Sequence, residues 1–234
     1  MTVFAAIAAA SMFTSTNVSS ENAAGIASSS ELAASAERPY AGAALLRPNY
    51  VHYADNLRHW DKPTVTVYVN PSLNDNKSRE QTVELVSRGI DLWNQKLSSA
   101  IRLKAVSTPG ADVTVSVVTP GTLAGGAIGR TDVTFRMEDQ VLTHALVRIN
   151  ERLPQAEMVQ VTAHELGHAL GIQGHSPDKH DLMYPYAHLP AEITDRDFNT
   201  MAVSYNVSPV ALTASARPAN GTTDTDDAAE LSAR

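Results

Sequence analysis

The segment from His164 to Pro185, HELGHALGIQGHSPDKHDLMYP, constrains the fold more than any other part of the chain. His164 and His168 stand four residues apart, and on a helix that spacing points both imidazoles from one face, where they can meet a single ion. The helix opens at Pro154, and Met158, Val159, Thr162, Leu166 and Leu170 supply its buried side. Gly171 ends it three residues after His168, where a residue without a Cβ can turn the chain back. Glu165 lies beside His164 and turns toward the same cleft.

The chain contains no Cys, which excludes disulfides and thiolate ligands, so any metal ion must be held by His, Asp or Glu. Neutral imidazoles suit zinc, and an open coordination position lowers the pKa of a zinc-bound water to about 7. Glu165 can then take its proton and later hand it to a leaving amine. The H-E-x-x-H pattern alone occurs in many helices that bind nothing, so the residues from Gly171 to Pro185 carry the weight.

That continuation resembles the metzincin metallopeptidases, and within them the matrixin-like group, whose pattern is H-E-x-x-H-x-x-G-x-x-H-S followed by a turn containing Met-Tyr-Pro. His164, Glu165, His168 and Gly171 match its positions without adjustment. The third His does not, because the family places it at Gly174 and this chain has His175. Ser176 follows His175 as in the family, and the eight-residue step from His175 to Met183, completed by Tyr184 and Pro185, keeps the family's register. The extra residue therefore lies between Gly171 and His175, and Gly174 is expected to absorb it through a φ that other residues avoid. Asp178, His180 and Asp181 are the rival third ligands.

The resemblance implies an α+β, zincin-like fold: a twisted five-stranded mixed sheet above the active-site helix, and a C-terminal helix over ITDRDFNTMAVSY. Its fourth strand would be AIGRTDVTFR, antiparallel at the sheet's lower edge, where an extended peptide can add by main-chain hydrogen bonds. It implies one catalytic zinc on His164, His168 and His175, with Glu165 as general base, in an endopeptidase acting on peptide or protein substrates. Met183 would form an apolar floor beneath the metal, and Tyr184 would either stabilise the tetrahedral intermediate or pack. The pocket wall for the residue after the cut bond would start at Pro185, with Tyr186 contributing. The alternative is a non-catalytic, zinc-containing module that binds peptides or proteins through the same cleft; the intact Glu165 speaks against it. Vertebrate matrixins carry a further zinc and calcium in a long loop before the fourth strand. This chain is short there and lacks the His/Asp-rich pattern, so no second zinc is expected and calcium is left open. Silencing by a propeptide Cys is impossible here.

The remaining elements emerge from periodicity. TVTVYVN (64–70) alternates with Val65, Val67 and Val69 on one face, as a half-buried strand does. Ser78 and Gln81 form a capping box, and Val83, Val86, Ile90, Trp93 and Leu97 recur at helical steps, a stripe expected to lie in the core. IRLKAVS (101–107), VTVSVVT (113–119), AIGRTDVTFR (127–136) and VLTHALVRIN (141–150) read as strands, the last two joined by a turn at Glu138 and Asp139. A closing helix starts with Thr194 as N-cap and carries Phe198, Met201, Ala202 and Tyr205. His52, His59, His144 and His188 stand alone and read as surface or packed residues, and Trp60 is expected to pack against the fold.

The 234 residues suffice for one core. Domain bounds are expected at 45–209, between a leader or linker over 1–44 and an acidic tail over 210–234, both without a face to bury. The start, MTVFAAIAAASMF, reads either as a signal peptide with a misassigned start or as an Ala/Ser tail, since no Lys or Arg precedes the apolar run. An extracellular or cell-surface location rests on that run and on the resemblance. A net charge of −7 offers no basic field for nucleic acid, and no run approaches the roughly 20 apolar residues of a membrane span. A monomer is expected.

Overall fold

Alternating valines build the sheet. In the computed structural model, which describes residues 47–54, 57–70, 78–97, 101–186 and 192–205, strand β1 (Thr64–Asn70) buries Val65, Val67 and Val69. Strands β2 (Arg102–Val106), β3 (Val113–Val118), β4 (Gly129–Phe135) and β5 (Leu142–Asn150) come next, within two residues of the bounds expected from the sequence. They form one five-stranded sheet in the order β2-β1-β3-β5-β4. The first four pair in parallel, and β4 runs antiparallel to β5 along one edge, with Thr131 opposite Val147. The fold is α+β with a mixed sheet, as expected, and strand four is the antiparallel edge.

Helix α1 (Arg79–Lys96) starts at the capping box of Ser78 and Gln81 and packs against α2 (Gln155–Ala169). One expected core position is corrected. Val83 is exposed, and the helix buries Thr82, Leu85, Val86, Gly89, Ile90 and Trp93 instead. At 3.6 residues per turn Val83 lies roughly 90° from the middle of that stripe, at its margin. Trp93 is fully buried, and its Nε1 donates to Ala163 O at 2.7 Å, tying α1 to the residue before His164. Burying a side chain of this size contributes on the order of 3 kcal/mol.

Helix α3 (Asp195–Ser204) is capped by Thr194 and Asp197 and buries Phe198, Met201 and Ala202. The segment ahead of β1 straps these parts together. Trp60 is buried, as expected, with Nε1 donating to Ala169 O at 2.9 Å. Arg58 N donates to Gly171 O, Gly174 N to Ala54 O, and Tyr50 N to Thr200 Oγ1, each at 3.0 Å. His59 sits half-buried against Tyr205, His144 half-buried on β5, and His52 is exposed. The expected leader, the acidic tail, the bounds at 45 and 209, and His188 all lie outside the described residues. Among the described residues no helix is long and apolar enough to cross a membrane.

Candidate metal centre

Helix α2 turns His164 and His168 to one side, and the chain returning after Gly171 brings His175 to meet them. Ring centroids are 4.9 Å apart for His164 and His168, 5.3 Å for His164 and His175, and 5.0 Å for His168 and His175. Each ring offers one nitrogen to a group whose atoms all lie within 4.8 Å of one another. Among the described residues no other group of three His, Asp or Glu converges in this way.

Two rings are oriented from behind. His164 Nδ1 lies 2.8 Å from Leu182 O, and His168 Nδ1 lies 2.6 Å from Ile172 O. A carbonyl only accepts, so each Nδ1 carries a hydrogen, which leaves Nε2 as the nitrogen a metal could take. His168 Nε2 is buried and has no hydrogen-bond partner among the described residues. Burial, then the charges of His164 and His175, hold the His168 pKa well below the usual imidazole value, so the ring is neutral at pH 7. Buried polar atoms left without a partner are costly. Three converging imidazoles, two of them anchored through Nδ1, are a donor set that suits zinc and could hold such an ion.

Gly171 has φ 122°, and a Cβ there would lie 1.9 Å from Arg58 O, so both conformation and space demand glycine. The reason expected for Gly174 is corrected. Its φ lies outside the left-handed region, but a Cβ would lie 2.2 Å from Tyr53 O. The longer loop before His175 is accommodated by the close approach of residues 53 and 54, which a side chain at 174 would block.

The rival ligands are engaged elsewhere. Asp181 accepts from Ser176 Oγ, accepts from Thr194 Oγ1 at 2.8 Å, and pairs with Arg196 at 3.0 Å. Asp178 accepts from His180 N at 3.0 Å and meets the His180 ring at 2.8 Å, both residues at the surface. Ser176 N donates to Met183 O at 2.8 Å, which sets the His175 strand of the loop against the Met183 turn. That turn is held in place by Asp197, fully buried, which accepts from Leu182 N at 3.0 Å, Met183 N at 3.2 Å and Tyr50 Oη at 2.8 Å. Met183 is itself fully buried. Tyr184 and Pro185 are half-buried, Tyr186 is exposed, and the two tyrosine rings lie 5.7 Å apart.

Glu165 is fully buried beneath β4. Its Oε2 accepts from Thr131 Oγ1 at 2.6 Å, while Oε1 is buried with no hydrogen-bond partner among the described residues. Burial pushes its pKa up to about 8, with the Thr131 hydrogen bond working in the opposite direction and the Asp132 charge adding to the rise.

Sequence reasoning does not single out Thr131, Tyr50 or the anchoring role of Asp197. The capping box marks Asp197, but nothing local shows its carboxylate reaching back to Leu182 and Met183.

No curated protein matches the chain. The family model named Matrixin matches residues 149–206, from the end of β5 through α2, the three histidines and the Met183 turn to the end of α3. That match, over the stretch where the imidazoles converge, supports a matrixin-like metallopeptidase, a family that implies zinc.

Proposed function

We propose that this chain is a zinc-dependent endopeptidase of the matrixin-like metzincin type, with His164, His168 and His175 holding one zinc ion and Glu165 acting as general base. The observation that carries the reading is the convergence of the three imidazoles within 4.8 Å, with a buried carboxylate one residue from the first of them. Zinc bound there would supply a Lewis acid for the scissile carbonyl and a nucleophile at neutral pH. Glu165 accepts the proton of the attacking water and delivers it to the departing nitrogen. The Asp197 and Leu182 contacts keep the first imidazole and the Met183 floor in register.

The edge of β4 away from β5 gives an extended peptide main-chain partners, and Tyr184, Pro185 and Tyr186 stand at the exit of the Met183 turn to meet its side chains. A monomeric catalytic domain over 45–209, acting outside the cell, completes the proposal.

The test is cleavage of unfolded casein by the wild type and by Glu165→Gln, with zinc removed by a chelator and then restored. The reading expects cleavage that disappears with the metal, returns with zinc, and falls by at least about a hundredfold in Glu165→Gln. Zinc bound without cleavage of any unfolded protein would contradict it and favour a binding module.

A further inference from the structure

We propose that Thr131 on β4 is a positioning residue for Glu165, its hydroxyl fixing the carboxylate through Oε2 and leaving Oε1 as the oxygen that exchanges protons; this rests on the peptidase reading above. Thr131 is buried, and its Oγ1 lies 2.6 Å from Glu165 Oε2 and 3.0 Å from Glu165 O. A hydroxyl has one hydrogen, and the side-chain oxygen at the shorter distance claims it. Thr131 is β-branched, so its χ1 is stiff and the donor is held in place before substrate arrives.

Two residues earlier on the same inward face, Gly129 makes the room: a Cβ there would lie 2.5 Å from Glu165 Oε1 and 2.7 Å from Val161 Cγ1. One strand thus supplies space at 129 and a donor at 131, and the carboxylate fits between them. The strand that grips Glu165 is also the edge strand of the sheet, with no strand paired on its outer side among the described residues. A peptide seated on β4 is therefore registered against the same strand that orients the base.

A bland alternative has Thr131 merely satisfying a buried carboxylate for folding. The two separate in steady-state kinetics of the full zinc-loaded chain on a fluorogenic casein-derived peptide, with zinc content measured in parallel. Thr131→Val, which keeps the shape and removes the donor, is expected to lower kcat on the order of tenfold while KM and zinc per chain stay within about twofold. Thr131→Ser, which restores the donor, is expected to recover most of the loss. Unchanged kcat in Thr131→Val, a loss matched by lost zinc, or a Thr131→Ser variant as slow as Thr131→Val would overturn the role. If Thr131→Val does not fold, Thr131→Ala replaces it in the same comparison.

A second readout does not depend on turnover. Thr131→Val should lower the urea unfolding midpoint more in the wild-type background than in Glu165→Ala, where the carboxyl is gone and the hydroxyl keeps only the main-chain oxygen of residue 165. Equal shifts in both backgrounds would overturn the contact. A wild type that cleaves nothing removes the peptidase reading and the role with it, and the urea comparison then shows whether the Thr131–Glu165 contact exists on its own.

Discussion

His164 on α2 and Leu182, eighteen residues later in the chain, are joined at 2.8 Å between the imidazole Nδ1 and the Leu182 carbonyl. The turn that carries Met183 thereby orients the first of the three imidazoles, and Asp197 on α3 holds that turn through the Leu182 and Met183 amides. Orientation of the ring is thus set by a chain of contacts running from α3 to α2.

The Asp197 link predicts a large effect from a small substitution. In Asp197→Asn an amide group must face donors from Leu182, Met183, Thr194 and Tyr50, and at least one buried N–H or O–H loses its acceptor. The expected cost is about 2–3 kcal/mol of stability, with weaker zinc binding, read from urea unfolding and from competition with a chromogenic chelator.

Gly167 lies between the two histidines of α2, and a Cβ there would sit 2.4 Å from Met183 Sδ and 3.0 Å from Trp93 Cζ2. Gly167→Ala should therefore push the Met183 turn away despite alanine's better helix propensity. Overpacking of this kind costs roughly 1–3 kcal/mol, and a lowered thermal midpoint would show it. A midpoint equal to or above wild type would mean that Met183 moves aside freely.

Asp112 gives a pH-dependent expectation away from the histidines. Burial raises its pKa, but hydrogen bonds from Lys62 and from Thr66 N and Oγ1 outweigh this and leave it below the ordinary carboxylate value. A lowered folded-state pKa means stability that is present above the unfolded value of 3.8 and lost as pH falls through the folded one. The gap in thermal midpoint between wild type and Asp112→Asn should be constant near neutrality and narrow only below about pH 4. A gap that closes already between about pH 7 and 5 would contradict this.

The elements with strong local periodicity are legible in the sequence. The alternating valines of β1 and β3 and the capping boxes at Ser78 and Thr194 each specify their element within a few residues. Val83 misleads because a residue at the edge of a helical stripe is apolar or polar at little cost. What local pattern cannot carry is the partner across the fold. The pattern along β4 marks a strand, yet nothing in it shows that Thr131 meets Glu165, which lies 34 positions away. Asp181 and a metal-ligating Asp look alike in a sequence, and only the closeness of Ser176, Thr194 and Arg196 shows where its carboxylate is spent. Gly174 is special for the main chain that crosses it, not for the φ that its place in a lengthened loop suggests.

The most direct test of the central proposal is the zinc content per chain of the purified wild type, Glu165→Ala and His175→Ala, after dialysis against a weak chelator. One zinc is expected in the wild type and in Glu165→Ala, and loss of zinc in His175→Ala. Full zinc retention in His175→Ala would contradict it, because the third imidazole would then not be a ligand and another group would have to complete the site.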